Sequence, residues 1–480
     1  MEEKLKQILR KLSDQGASYA DIRLVERQWE SILVKNDRLE RNSESENQGF
    51  GIRVLYQGAW GFACSFEKTP AEMERVANEA LKMARGASTA AGEKVTLAPQ
   101  SPVQGRWKSP YKIDPFQVPK EQKIELLSAS VKEMLIPGIL VARAGLDFLK
   151  EKKIFASTEG SFTEQEFMYT GAGIESTAVE GEENQNRSYP NSFGGNFLQV
   201  GYEYLEGLKL VQNARRIAKE AVALLHAPQA PSGIMTVILD SSQVALQVHE
   251  SCGHPTELDR VLGMELGFAG GSFLSPDKRG HFKYGSDKVT IVADATCPQG
   301  LGTFAYDDEG VPAQKTLLIN RGNFEGYLSS RETAAKFNEK SNGTMRGDGW
   351  NSLPLIRMTN INLEPGDQSL DAMIKGTKEG LFLQTNRSWS IDDQRLNFQF
   401  GTEVAYEIKN GVLGKMYKNA TYTGITPEFW GSCDAVGNKD HWELWGLPNC
   451  GKGEPVQTMF VGHGASPARF QNVRVGVGKW

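Results

Sequence analysis

The sequence predicts an α+β protein of two domains: an N-terminal α/β domain over 1–225 and a C-terminal, mostly antiparallel β-rich domain over 234–480, joined by a Pro-rich linker at 226–233. Three observations predict it. The first half alternates amphipathic helices with long hairpins. A break, His226-Ala227-Pro228-Gln229-Ala230-Pro231-Ser232-Gly233, then interrupts the chain. Beyond it, short apolar runs are separated by Gly, Asn and Asp turns, with few long helical stretches.

In the first half, Leu5, Ile8, Leu9 and Leu12 recur at helical spacing. A strand is predicted over 19–25, and a hairpin over 49–64 with Gln57-Gly58 at its turn. Thr69-Pro70-Ala71-Glu72 reads as a capping box with Pro at the first helical position. The helix behind it buries Met73, Val76, Ala80 and Leu81 and stops near Gly86. A helix over 120–135 is stopped by Pro137-Gly138. A second hairpin, 140–178, turns at Glu159-Gly160. The polar, Gly/Asn-rich 180–201 reads as a surface loop of the kind that often carries function. A helix over 208–225 precedes the break, where His226 reads as a capping or surface residue.

The second half opens with a predicted buried strand, 234–239, and a helix starting at Ser241 or Ser242 as N-cap. Short strands follow near 289–293, 315–319, 382, 404–409, 412–416 and 473–477.

The chain has 480 residues and net charge −5. That is ample for a core, and no Lys/Arg-rich block suggests a nucleic-acid surface. No apolar run is long enough to span a membrane, and charges interrupt the first apolar residues, so no signal peptide is expected. Five cysteines (64, 252, 297, 433 and 450), odd in number and widely spread, show no disulfide framework. A reducing cytoplasm is the expected location. Cys64, Cys297 and Cys433 read as core residues.

The chemistry concentrates in Val248-His249-Glu250-Ser251-Cys252-Gly253-His254-Pro255-Thr256-Glu257-Leu258-Asp259. Two of six histidines stand here with a Glu after the first, close to the H-E-x-x-H pattern in which both rings bind zinc and the Glu activates water. The spacing is one residue longer. At about 100° per residue, positions i and i+5 point roughly 140° apart. Both rings reach one metal only if the helix is distorted. Gly253 and Pro255 supply the means: either the helix ends at Gly253-His254 or it widens into a π-type turn. Unrelated surface histidines are the bland alternative. Glu257 and Asp259 are the nearest carboxylates to hold a ligand ring, or else a solvated helix face. Cys252 or Cys450 could instead be a nucleophile activated by a His, and Cys252 could itself ligate a metal. Cys450 reads as presented from a Gly-flanked loop. His281, His441 and His463 read as surface or supporting residues.

Several stretches, in order, resemble the TldD/PmbA family of zinc metallopeptidases, once called modulators of DNA gyrase. They are Gly51-Ile52-Arg53-Val54-Leu55 with Gly58-Ala59-Trp60-Gly61-Phe62-Ala63, the metal motif, Asp307-Asp308-Glu309-Gly310 with Pro312, Arg357-Met358-Thr359-Asn360, and Asn449-Cys450-Gly451-Lys452. The intact motif is similar to the TldD branch. The resemblance implies zinc held by His249, His254 and Cys450, Glu250 as general base, and peptide hydrolysis; unfolded or extended peptides are expected because the β-rich domain can take one up at a strand edge. It also implies a homodimer or a heterodimer with a motif-less TldE/PmbA-type subunit; on composition, no nucleic-acid or membrane partner is expected. The alternative is a non-catalytic peptide-binding subunit. Pro255 stands where relatives commonly have Gly, and Asn386-Arg387-Ser388-Trp389 replaces an expected Gly-rich stretch in the substrate cleft.

Overall fold

The computed structural model describes residues 2–90, 92–267 and 270–478. Its N-terminal region is a long, mostly antiparallel sheet with helices packed on it; its C-terminal region is rich in short strands and contains a small barrel.

In the N-terminal region, α1 (Glu2–Asp14) buries Leu5, Ile8, Leu9 and Leu12. Strands β1 (Tyr19–Lys35), β2 (Arg38–Tyr56) and β3 (Ala59–Ser65) form a meander. β1 and β2 run far beyond the predicted 19–25 and 49–64, because residues 38–48 are polar on both faces and show no apolar alternation. Gln57 and Gly58 both have positive φ, the backbone of a two-residue type I′ turn. Helix α2 (Pro70–Ala87) is capped by the Thr69 side chain, which accepts from the Glu72 N–H. The predicted reciprocal bond is not made: Glu72 instead holds Arg75 at 2.7–2.8 Å.

Strands β4 (Gln104–Lys108), β5 (Ile139–Ser157) and β6 (Phe162–Glu180) continue the sheet, with α3 (Lys120–Met134) on its face. The predicted surface loop at 180–201 is corrected. Much of it is strand, β7 (Glu183–Tyr189) and β8 (Asn196–Leu198), both paired to β6 and largely buried. The predicted helix 208–225 is two, α4 (Tyr204–Leu208) and α5 (Leu210–His226), broken at Lys209 where φ is +49°.

The C-terminal region starts with β9 (Gly233–Leu239), whose first half is exposed rather than buried as expected. α6 (Ser241–Val248) follows, capped by Asp240, which accepts from Gln243 N at 2.8 Å, not by Ser241 or Ser242. β10 (Ile291–Asp294), β11 (Lys315–Asn320), β12 (Asn323–Phe324) and β15 (Ile361–Leu363) make one small sheet; β13 (Met345–Arg346) and β14 (Leu355–Ile356) pair with each other. β16 (Glu379–Ile391), β17 (Asn397–Lys409), β18 (Val412–Tyr417), β19 (Ala420–Ile425), β20 (Cys433–Val436) and β23 (Ala468–Val477) join β9 in a seven-stranded sheet. The order β16-β9-β23-β19-β17 closes on itself because β17 also pairs with β16. Closure leaves no open edge within that ring. β21 (Glu443–Lys452) and β22 (Gln457–Ala465) form a separate ribbon.

The two regions are clamped by buried charges. Asp308 accepts from Arg23 at 3.0 Å and from Lys153 at 2.9 Å. Its neighbour Glu309 faces Arg53 at 3.6 Å and takes the Arg331 N–H at 2.7 Å. Burial, together with the neighbouring Glu309 carboxylate, raises the pKa of Asp307. The stretch from Asp307 to Gly310 is therefore a latch between the N-terminal sheet and the β-rich region.

Candidate metal centre

Every residue of α6 is buried, and polar side chains fix its register. The Gln243 amide donates to the Tyr422 hydroxyl at 2.8 Å, which donates to Gln247 Oε1 at 3.0 Å; the Gln247 amide donates to Ser251 Oγ at 3.1 Å. Trp430 also donates to Ser251 Oγ, at 2.9 Å. A buried network of this kind favours one arrangement, because a slip would break these bonds and leave further polar groups unsatisfied.

At His249 the helix widens into a π-turn over His249–Gly253, closed by the His254 N–H on the His249 carbonyl. A 3₁₀ turn, His254–Thr256, follows. This is the π-type alternative read from the long spacing. Pro255 has no N–H to give, and the change of pitch frees carbonyls that need other donors. The Tyr284 hydroxyl donates to Ser251 O, and the Thr256 hydroxyl lies 3.0 Å from Cys252 O and 2.8 Å from Gly253 O. Gly253 is required by close approach: a Cβ there would sit 2.0 Å from Met358 Sδ.

The distortion brings His249 and His254 to the same side, with ring centroids 4.8 Å apart. Cys450 joins them from β21, 196 residues away in sequence. It is not on a presenting loop, as the sequence suggested, but in a strand and 5% exposed. The β21–β22 ladder slips between Leu447 and Cys450, and Pro448 lies in that slip, where a strand tolerates it. Arg357 donates to the Cys450 carbonyl. The ligating atoms of His249, His254 and Cys450 all lie within 4.8 Å of one another, so this cluster can hold a metal ion.

The donor set fits zinc. Bonds of about 2.0 Å to nitrogen and 2.3 Å to sulfur at a tetrahedral angle put N and S about 3.5 Å apart. His254 Nε2 and Cys450 Sγ are 3.6 Å apart. The supporting bonds also fix the tautomers. His463 Nδ1 donates to Ile361 O at 3.1 Å, so its Nε2 accepts, and His249 Nδ1 donates to it at 2.8 Å. His254 Nδ1 donates to Glu257 at 3.0 Å. Each ring thus keeps its Nε2 lone pair for a metal. Burial lowers the pKa of both ligand histidines, which favours the neutral form a metal needs. Burial raises the Cys450 thiol, but His254 and Arg357 outweigh it and leave a net lowering.

Glu257 and Asp259 are buried, not a solvated face. Glu257 lies 3.4 Å from both Arg260 and Lys452, and Asp259 takes Lys452 at 2.7 Å. Glu250 lines the same cavity as the cluster, with its carboxylate 2.9 Å from Arg395. Cys252 points into the apolar core and is not part of the cluster. Of the three histidines read as surface or supporting residues, His463 is buried and supports His249, while His281 is exposed and His441 half-buried; His226 is exposed. Of the carboxylates offered for the ligand rings, Glu257 holds His254; His249 is held by His463 instead, and Arg395 is not among the residues read from the sequence. His463 stands 214 residues from His249, and no local spacing marks either residue. No helix among the described residues is long and apolar enough to cross a membrane.

A model of the PmbA/TldA metallopeptidase C-terminal domain matches residues 232–477, and one of PmbA/TldA metallopeptidase domain 1 matches residues 20–84. A metalloprotease of Methanocaldococcus jannaschii is 33% identical over 465 residues, 96% of this chain and 97% of that protein. A metalloprotease TldD homolog of Haemophilus influenzae is 27% identical over 474 residues, 97% of this chain and 94% of that protein. Among solved structures, a protein of Thermotoga maritima described as a modulator of a DNA gyrase has a TM-score of 0.76 at 17% identity, covering 99% of this chain and 100% of that one. TldE from Thermococcus kodakarensis has a TM-score of 0.73 at 16% identity, covering 98% and 100%. These two show the shared fold. The chain belongs to the TldD/PmbA family of metallopeptidases, and its TldD-named relatives support placing it on the TldD branch.

Proposed function

We propose that this chain is a zinc-dependent peptidase acting on unfolded or extended peptides, with His249, His254 and Cys450 as ligands and Glu250 as general base. The observation that carries it is the cluster itself: two imidazoles and one thiol, all buried, with ligating atoms within 4.8 Å of one another and His254 Nε2 3.6 Å from Cys450 Sγ. Three protein ligands leave one position open, the mark of a catalytic rather than a structural site. A zinc ion there supplies Lewis acidity to water and to a peptide carbonyl. Glu250, adjacent to a ligand and in the same cavity, takes a proton from water and hands it to the leaving amine. Arg395 orients that carboxylate from the other side. The five free thiols accord with a reducing cytoplasm. A second copy or a motif-less TldE/PmbA-type partner is proposed on family resemblance alone.

The decisive experiment combines metal analysis with turnover. Glu250→Gln is expected to keep its zinc and lose about 10²–10⁴-fold in peptide cleavage. Near-normal turnover in the zinc-loaded variant defeats the general-base role.

Two observations favour other readings. The Glu250 carboxylate is committed to Arg395, as expected of a peptide-binding subunit without catalysis. Cys450, His254 and Glu257 also stand in line, 3.6 and 3.0 Å apart, as nucleophile, base and orienting acid would. A cysteine hydrolase keeps its activity in chelator and loses it to a thiol alkylator. A binding subunit holds peptide and cleaves none in either condition.

A further inference from the structure

The metal cluster lies in a cavity of about 230 Å³ whose wall includes two large aromatic side chains, Phe193 and Trp389. They arrive from opposite parts of the chain. Phe193 comes from the short turn between β7 and β8; Trp389 comes from the end of β16. The rings meet edge to face, centroids 5.3 Å apart and planes at 86°. Yet Phe193 stays 58% exposed and Trp389 44% exposed. Neither belongs to a hydrophobic core, so packing alone does not explain two aromatics at this place.

The backbone holds Phe193 there against its preference. Its φ is +55°, a region costly for a bulky side chain. Such outliers persist where the surroundings enforce them, and they concentrate at ligand sites. Here the enforcement is visible. Gly194 and Gly195 follow, at φ of +96° and +95°, and Gly195 lies so close to β6 that a Cβ would be 1.8 Å from Ala172 O. The turn is pressed onto the sheet, and Phe193 is projected into the cavity wall.

The rest of the wall says what this pair receives. Leu246 and Leu447 add apolar surface. The charged groups among the lining residues, apart from the metal cluster, are Glu250 and Arg395, which neutralise each other at 2.9 Å. A charged substrate side chain would find no unmatched charge here, whereas a large apolar one gains burial between two rings.

We propose that Phe193 and Trp389 form a specificity subsite, and that the peptides this chain accepts carry a large apolar or aromatic residue beside the bond at the metal centre. The proposal rests on the peptidase reading for the word bond, but the subsite itself needs only that a peptide enters this cavity.

The test uses the full-length, zinc-loaded chain and a set of labelled peptides identical but for one central residue: phenylalanine, leucine, alanine, lysine or glutamate. Binding is followed by fluorescence anisotropy and cleavage by product formation. The phenylalanine and leucine peptides should bind, and turn over by kcat/KM, roughly 10–100-fold better than the alanine peptide. Trp389→Ala and Phe193→Ala should each erase most of that ratio, and Trp389→Phe should restore much of it. Because both side chains are largely exposed, circular dichroism should show all three variants folded. Equal binding of the phenylalanine and alanine peptides, a ratio untouched by Trp389→Ala, or a lysine peptide that ranks first overturns the subsite. Absence of cleavage with every peptide would defeat the peptidase reading, and the binding ratios would still decide the subsite. Zinc-dependent cleavage with flat binding ratios would defeat the subsite alone.

Discussion

Nδ1 of His249 stands 2.8 Å from Nε2 of His463, and the second histidine is in turn pinned by its own N–H to the Ile361 carbonyl. The chain from β15 through His463 sets the ring angle and tautomer of a metal-site residue 214 positions earlier. Removing such a supporting partner typically costs about 10–100-fold in metal affinity. His463→Ala should therefore weaken zinc binding in a competition titration by that factor. His463→Gln, whose amide oxygen can accept the same N–H, should recover part of it. An unchanged affinity in His463→Ala would show that the His249 ring is positioned by packing alone.

The local part of this site was legible in sequence; the long-range part was not. The extra residue between His249 and His254, with Gly253 and Pro255 beside it, predicted a distorted helix, and a π-turn is there. Helix geometry is a property of neighbours, so neighbours reveal it. Cys450 came through family resemblance, and its strand did not: Glu443–Lys452 holds Pro448 and three polar or Gly positions after it, which masks the alternation of a strand. Glu257 and Asp259 read either as support for a ligand ring or as a solvated face, the usual place for charges; Glu257 takes the first role. Their burial is matched by the adjacent Arg260 and by Lys452, which arrives from β21. The same holds for β2, whose polar outer stretch is held by pairing with β1 rather than by a buried face. The hairpin turns at Gln57-Gly58 and Glu159-Gly160 were legible because their backbone demands are local.

The latch at Asp308 gives a stability prediction with a defined pH dependence. Burial alone would raise this carboxyl, but Lys153 and Arg23 outweigh it and bring it down to about 2. A carboxylate lowered in the folded state stabilises above its unfolded value of about 3.9, and that contribution is lost as pH falls towards the folded value. The difference of nearly two units corresponds to roughly 2–3 kcal/mol. Asp308→Asn leaves two buried cations short of a partner, a cost of about 3–5 kcal/mol at neutral pH. Denaturant unfolding should show the variant less stable at pH about 7, with the gap narrowing as the wild type is taken from about pH 4 to pH 2. A gap that stays constant across that range would remove Asp308 from the acid response.

Chelation should separate the metal from the fold. The β-rich region buries a large core from Val237 and Leu239 to Val473 and Val475, so its folding does not depend on one ion as a zinc finger's does. A chelator is expected to abolish peptide cleavage and leave the far-ultraviolet circular dichroism essentially unchanged. Global unfolding on chelation would instead make the ion structural.

The two cysteines near the histidines offer the sharpest contrast. Cys252 is nearer in sequence, between the two ligand candidates, but the π-turn sends it into the core, where burial raises its thiol pKa. Cys450 is far in sequence and 3.6 Å from His254 Nε2. Cys450→Ser replaces a soft anionic ligand by a neutral hydroxyl. It should reduce zinc affinity by more than the 10–100-fold of a supporting residue and take activity with it. Cys252→Ser should leave zinc content and turnover in place and cost about 1–3 kcal/mol, the penalty for a hydroxyl in an apolar site. Zinc titration and denaturant unfolding on the pair decide it. Full zinc affinity in Cys450→Ser would leave a two-histidine site and remove the thiol from it. Retained zinc with lost cleavage in that same variant would favour the nucleophile reading, because the sulfur would then be needed for chemistry and not for holding the ion.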